Sequence, residues 1–329
     1  MELIKKDKSI ETIRGITSLS ICIFHLASDH LFTPDFFLGH IVYKNPFNVL
    51  TFRVISGFVI IHSLNRHRYT IANYFNFLKR RYLRLEPAFI SSVFLIIILN
   101  YVSTLSQSYQ GNPFILDLPT IISNLFHINY LFNLPFLNSS YWTLFVEWQF
   151  YILIGLIAPF FIRWSVVNQV ILLVVLSSLG LFTTDIHLVL RDFSLFSLGI
   201  LAWIHLERSI PKRTLLVAFL LLLIISIYVH RQDPIHLIGV CISFFAIAFS
   251  WNLSFVPFLG RISYALFLTH IPIGTRLTHF ASRYYTSDTS RVLILVISVL
   301  VCIGFAYLYH LTVEKYFQKK LRFDTKPYH

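Results

Sequence analysis

Thr12 to Ser28 reads TIRGITSLSICIFHLAS, an apolar run that, with its flanks, is long enough to cross the roughly 30 Å hydrocarbon core of a bilayer. Two ionisable residues interrupt it, Arg14 and His25, eleven positions apart. A helix turns about 100° and rises about 1.5 Å per residue, so both side chains fall on one stripe, roughly 16 Å apart. Ionisable groups inside a span cost several kcal/mol unless paired or wetted. The stretch therefore predicts a membrane helix with chemistry on one face, and a titratable imidazole suits proton transfer near neutral pH.

Outward from this helix the chain continues in the same way. Of 329 residues, 56% are hydrophobic and 13% charged, with a mean hydropathy of +0.69, beyond the apolar content of a soluble domain. Apolar segments of spanning length fall at 10–29, 47–64, 86–104, 141–162, 165–182, 188–206, 213–229, 235–251, 260–279 and 291–313. The expectation is an all-α polytopic membrane bundle of about ten transmembrane helices. It is read as a single domain over 1–329, with no internal repeat, linker or soluble appended domain.

The net charge of +12 points to topology rather than to nucleic acid, because the cations gather at span ends. Lys5, Lys6 and Lys8 precede the first span, and Arg66, Arg68, Lys79, Arg80, Arg81 and Arg84 fill the second connection. Arg208, Lys212 and Arg213 fill the sixth, and Lys315, Lys319, Lys320, Arg322 and Lys326 end the chain. All fall on one side of a ten-helix arrangement, whereas 107–140 on the other side has no Lys or Arg. The positive-inside bias sets both termini in the cytosol. A full span at 119–137, which holds Asn124, His127, Asn129 and Asn133, would reverse everything downstream, so it reads as re-entrant or interfacial. Cys22, Cys241 and Cys302 stand singly in apolar runs and read as packing residues, with no metal-like spacing. The basic, apolar N-terminus lacks a small-residue cleavage site and reads as a retained signal anchor.

Depth follows from topology. Counted from Ile10, His25 lies about 22 Å from the cytosolic edge, nearer the outer face. Glu147, in the fourth span, and Arg53, in the second, each lie roughly 9 Å below the outer face. Arg191 is closer to that face and His270 is near the midplane. A buried Glu that pairs with an Arg to hold helices together is one reading of such residues; a polar cavity opening outward is the other. Asp29, His30 and Asp35 read as solvated at the outer end of the span, with orientation of the His25 ring the alternative for Asp29, four residues on. On the inner side, Arg81 and Arg84 share a helix face in LysArgArgTyrLeuArgLeuGluPro, Lys79 to Pro87. They suit either lipid headgroups or a phosphate, which guanidinium forks bind in bidentate fashion. Arg14 extends that patch inward. Ser56, Trp142 and Tyr151 serve equally as packing positions or as substrate contacts.

Taken in order, these segments resemble the acyltransferase-3 family of integral-membrane O-acyltransferases. Arg14 and His25 match its Arg and His in the first helix, and SerGlyPheValIle from Ser56 matches its Ser-Gly-Phe stretch. ArgArgTyrLeuArgLeuGluPro from Arg80 is similar to its Arg-x-x-Arg segment, and TrpThrLeuPheValGluTrpGlnPheTyr from Trp142 to its Trp-x-Leu-x-x-Glu-x-x-Phe-Tyr pattern. Arg191 with Gly199, and LeuGlyArgIleSerTyrAlaLeuPheLeuThrHisIlePro from Leu259, complete the series. Two departures stand out. Arg53 occupies a usually aromatic position, and Glu314 is followed by Lys315 and Tyr316 where the family has a Pro, so Glu314 receives no role.

The resemblance implies transfer of an acetyl or other acyl group from cytosolic acyl-coenzyme A to a hydroxyl of an extracytoplasmic or lipid-linked glycan, such as an O-antigen polysaccharide, in a bacterial cytoplasmic membrane. No metal is implied. In that scheme His25 is the general base and Glu147 orients and charge-pairs its imidazole. Arg14, Arg81 and Arg84 take the coenzyme A phosphates. Arg53, Arg191 and His270 are candidates for the oxyanion or the sugar. The rival readings are a transporter or flippase for an anionic lipid or glycan, and a noncatalytic scaffold whose polar groups hold helices together. The acceptor sugar and the oligomeric state are left open.

Overall fold

In the computed structural model, residues 2–28, 31–32, 36–106, 115–251, 253 and 257–318 are described. Asp29, His30, Asp35 and the cations from Lys319 onward lie outside the described residues. The chain is all-helical there, without a strand. In order the α-helices are α1 (Glu2–Ser28), α2 (Phe37–Tyr43), α3 (Val49–Arg66), α4 (Tyr74–Thr104), α5 (Leu118–Leu125), α6 (Trp142–Phe161) and α7 (Val166–Ser178). They continue as α8 (Val189–Arg208), α9 (Lys212–Val229), α10 (His236–Ala248), α11 (Pro257–Arg261), α12 (Ser263–His270), α13 (Arg276–Ser282) and α14 (Asp288–Tyr309).

Among the described residues, six helical segments are long and apolar enough to cross a membrane: Lys8–Ser28, Ile71–Thr104, Trp142–Phe161, Val189–Arg208, Lys212–Val229 and Asp288–Gln318. The other four expected spans are helical but shorter, more polar or broken. α3 carries Arg53, His62 and Arg66, and α10 has only 13 residues. The segment expected at 260–279 is divided among α11, α12, a π-helical turn at Ile271–Thr275 and α13. Pro272 sits in that turn; it has no N–H to donate, and the widened turn accommodates the missing bond. α5, at eight residues, reaches only about 12 Å and does not cross. The chain after it folds back, with Asn124 and Asn129 both donating to the Pro135 carbonyl at 3.1 and 2.9 Å.

Caps and small residues fix the helix ends and crossings. Asn48 accepts from Leu50 N–H at the start of α3, and Ser165 caps α7, each satisfying a donor that a helix start leaves open. α3 and α8 cross at Gly57 and Gly199. A Cβ on Gly57 would lie 2.1 Å from the Phe196 carbonyl oxygen, and one on Gly199 2.0 Å from that of Val54. Backbones approach this closely only over small residues.

Two apolar cores flank a seam. One holds Phe150, Phe196, Trp203 and Phe244 of α6, α8 and α10; the other holds Cys22, Phe89, Leu266 and Cys302 of α1, α4, α12 and α14. Both fully buried cysteines thus pack as the sequence suggested. At one end of the bundle Arg208 donates to the Ile162 carbonyl, among the clustered cations. At the opposite end His236 Nδ1 donates to the Asn45 carbonyl at 2.8 Å, and Gln149 clamps the loop before α8 through the His187 carbonyl and Val189 N–H.

Candidate active site

The seam opens into a cavity of about 130 Å³. Each helix presents its polar residues at a spacing that shares one face: Arg53 and Ser56 on α3, Arg81 and Arg84 on α4, Glu147 and Tyr151 on α6. Arg14 enters from α1, and Tyr264 and Phe267 from α12. A second π-helical turn, His310–Glu314, follows α14 and carries Glu314 to the same wall. A neighbouring cavity of about 160 Å³ is lined by His67, Arg80, Arg81 and Arg84 among others. Arg81 and Arg84 therefore face both spaces.

Glu147 Oε1 accepts from Ser56 Oγ at 3.1 Å and from the Tyr151 hydroxyl. Arg14 sits within the electrostatic reach of Arg84, Glu314 and Glu147. Glu314 accepts from His310 Nδ1 at 2.8 Å and from Gln318 Nε2 at 2.9 Å. Arg81 stands over the rings of Phe77 and Tyr151 at 5.5 and 5.8 Å, a cation-π arrangement that fixes the guanidinium at the cavity wall. The centre is thus a mixed-charge pocket in which cations outnumber carboxylates, an arrangement that accommodates a polyanion.

Three expectations change here. Glu147 is hydrogen-bonded to Ser56 and Tyr151, not to His25, so it does not orient that imidazole directly. Helix depth is one coordinate; two side chains at equal depth still differ in the direction they point from their axes. Arg53 is not a free cation of the cavity: its Nε donates to Asp192 at 3.2 Å and its Nη1 to the Thr143 carbonyl at 3.1 Å. Its buried Nη2 has no partner among the described residues, which leaves one donor unspent. Glu314, given no role from the sequence, lines the cavity.

His25 does not line this cavity. It packs with His270, ring centroids 5.3 Å apart. His270 Nδ1 donates to the Leu266 carbonyl at 2.8 Å; the carbonyl can only accept, so Nε2 of a neutral ring is a bare acceptor. That Nε2 is buried without a partner among the described residues. Phe267, whose ring is 6.3 Å from His270, also lines the cavity and so connects its wall to the imidazole pair. Trp142 and Arg191 also lie off the cavity wall; the Trp142 ring meets that of His187 edge to face at 6.0 Å.

Two residues escaped the sequence reading. Asp192 is fully buried beside Arg53, and its signal was present: an acid one position after the noted Arg191 points about 100° away, into the bundle. Glu86, also buried, accepts from Trp148 Nε1 at 2.8 Å and His127 Nε2 at 3.0 Å. It ties the non-crossing segment to α4 and α6.

The fold and the site thus define a helical membrane protein with a mixed-charge cavity and, beside it, a separate imidazole pair. The profile of the acyltransferase-3 family, described as an acyltransferase domain, matches residues 7–311. The chain belongs to that family. It is also similar to the O-acetyltransferase OatA of Staphylococcus aureus, in strains NCTC 8325, COL and N315 alike, at 27% identity over 361 residues. The match covers 94% of this chain and 57% of the relative, so the chain spans little more than half the length of the curated relatives it matches. No solved structure matches it.

Proposed function

We propose that this chain is a membrane O-acyltransferase, moving an acetyl or similar acyl group from cytosolic acyl-coenzyme A to a hydroxyl of an extracytoplasmic or lipid-linked glycan. Arg81 and Arg84, shared by the two cavities, are the observation that carries this reading. A nucleotide donor is a phosphate-rich anion on a narrow thioester arm, and its charge belongs on the guanidiniums with its arm running inward toward Glu147 and Tyr151. The positive-inside rule sets this basic end in the cytosol, with ten membrane-embedded helical segments, both termini inside, and a bacterial cytoplasmic membrane as the setting.

The chemistry divides between the cavity and the imidazole pair. On the donor side, Arg14 and Arg84 neutralise phosphate, Glu147 holds Ser56 and Tyr151 in place, and the free Nη2 of Arg53 donates to the carbonyl oxygen as it gains negative charge. On the acceptor side, His25 takes the sugar hydroxyl proton as the alkoxide oxygen attacks the thioester carbonyl. The C–S bond breaks as the tetrahedral adduct collapses, and the imidazolium returns its proton to the departing thiolate. His270, with Nε2 bare, fixes the position of the His25 ring.

The test is the protein reconstituted in liposomes, supplied with radiolabelled acetyl-coenzyme A outside and a lipid extract of acceptor glycans within the bilayer. His25→Ala is expected to abolish labelled glycan while leaving insertion intact. Near wild-type labelling by that variant removes His25 as the base, and glycan translocation without acetyl-coenzyme A consumption replaces the whole reading with a transporter.

A further inference from the structure

At the end of the bundle opposite the cations, two connecting segments and the start of α6 meet around one imidazole. The His187 ring stacks on Tyr130 at 4.7 Å and lies parallel to Phe136 at 5.9 Å, with Trp142 edge-on. Asp185 Oδ1 accepts from both the backbone N–H and the ring Nδ1 of His187, at 2.9 and 3.0 Å. The Tyr130 hydroxyl donates to its other oxygen. Burial opposes ionisation of Asp185, but these donors outweigh it and hold its carboxyl below the ordinary carboxylate range. Gln149 of α6 accepts from Val189 N–H and donates to the His187 carbonyl, so the loop is fixed at backbone level as well.

Ring faces and Nδ1 are thereby occupied, and the His187 side chain remains 24% exposed with no protein partner on Nε2 among the described residues. With Nδ1–H committed to a carboxylate, Nε2 is a bare acceptor in the neutral ring. An ordinary interfacial aromatic presents an apolar body and a wet tip; here a preorganised acceptor is set beside half-buried aromatic rings and a carboxylate. Sugars match that combination, since they carry apolar C–H faces and fixed hydroxyl donors. Trp142 directly precedes Thr143, which lines the central cavity, so the cluster and the cavity share the first turn of α6.

We infer that Asp185 and His187, framed by Tyr130, Phe136 and Trp142, form a saccharide-binding subsite in which one sugar hydroxyl donates to His187 Nε2. This rests on the acyltransferase reading, in that the sugar is then a unit of the acceptor. His187 acts here in binding, and its substitution leaves donor handling untouched.

The experiment is saturation-transfer NMR on the full chain in nanodiscs, titrated with chitotetraose, maltotetraose and tetragalacturonate, alongside acetyl-coenzyme A binding on the same samples. Wild type is expected to bind at least one tetrasaccharide. His187→Phe keeps the ring stack and removes Nε2, and is expected to weaken that binding roughly tenfold, the loss of about one good hydrogen bond. Trp142→Leu weakens it similarly, and acetyl-coenzyme A affinity stays at the wild-type value in both. Equal sugar binding by wild type and His187→Phe overturns the inference, as does failure of all three sugars to bind wild type. Absent acetyl-coenzyme A binding with intact sugar binding would instead sink the acyltransferase reading and leave the subsite standing.

Discussion

Asp192→Ala is the sharpest perturbation of this structure. Asp192 is fully buried and Arg53 is 2% exposed, and the carboxylate is the guanidinium's one anionic hydrogen-bond partner, at 3.2 Å. Without it Arg53 retains the Thr143 carbonyl at 3.1 Å and an uncompensated charge. Breaking a buried pair from one side costs about 3–5 kcal/mol, or roughly two to three and a half orders of magnitude in the folded fraction. Replacing both partners with apolar groups removes the charge along with its need, so Arg53→Met combined with Asp192→Val is expected to recover to within about 1–2 kcal/mol of wild type. Thermal unfolding in detergent, followed by size-exclusion fluorescence, measures both. Acyl transfer by the double variant then separates helix glue from chemistry: the free Nη2 donor is gone, and turnover is expected to fall even where stability returns. A double variant as unstable as Asp192→Ala refutes the buried-pair argument, and one that is stable and fully active refutes the role of Arg53 at the carbonyl.

Burial pushes His230 down to about 4 from 6.5, against the pull of Asp192 and with the help of Arg191, His236 and Arg53; the unfolded chain therefore binds more protons between these values, and stability falls on acidification from pH 6.5 toward 4 by up to about 3 kcal/mol. His230→Gln should flatten that slope in pH-dependent melting, and an unchanged slope assigns the loss elsewhere. Gly199→Ala sets a methyl 2.0 Å from the Val54 carbonyl oxygen, so α3 and α8 must part; the expected loss is about 1–3 kcal/mol, read as a lower melting temperature, and an unshifted melt would rule out the tight crossing. Arg81→Ala with Arg84→Ala should raise the apparent KM for acetyl-coenzyme A with little change in kcat. The wild-type KM should rise with salt more steeply than that of the variant, and equal salt slopes would argue against phosphate contact.

The helical class and the placement of most helices were legible because hydropathy over a span is a local sum, and length alone separates α4 or α14 from α5. The broken segment around Pro272 was legible only in part. Its apolar run reads as continuous, while the π turn arises from one missing N–H. Arg14, Ser56, Arg81, Arg84, Glu147 and Tyr151 all reach one cavity, as their shared helix faces allowed. His25 was assigned to Glu147 because rise per residue gives depth and nothing about rotation between helices; the contact that replaced it, with His270 of α12, spans more than two hundred residues of sequence. Glu314 receives no role from the sequence because Lys315 and Tyr316 follow it where the family has a Pro, and the turn that carries it to the cavity wall is equally hidden. A π turn shifts a helix face by about one position, and no periodicity in the sequence marks it.

The buried ionisable groups divide by whether a protein partner already satisfies them. Arg53 with Asp192, and Glu86 with His127 and Trp148, are held from helix to helix, and each removes a charge that lipid would reject. Arg14 and Arg84 have no carboxylate within ion-pairing distance among the described residues, yet they line a space walled by apolar cores. Unpaired guanidiniums at such a place are stable only against water or a bound anion. A scaffold would gain by pairing them, as it pairs Arg53; a transporter would spread them along a path between its two ends. Here they collect in the cavity that Phe267 also lines, while Nε2 of His270 and of His187, with Nδ1 committed elsewhere, is an acceptor. Phosphate affinity at the guanidiniums and hydroxyl affinity at the imidazoles are what the proposed transfer requires of its donor and acceptor sites.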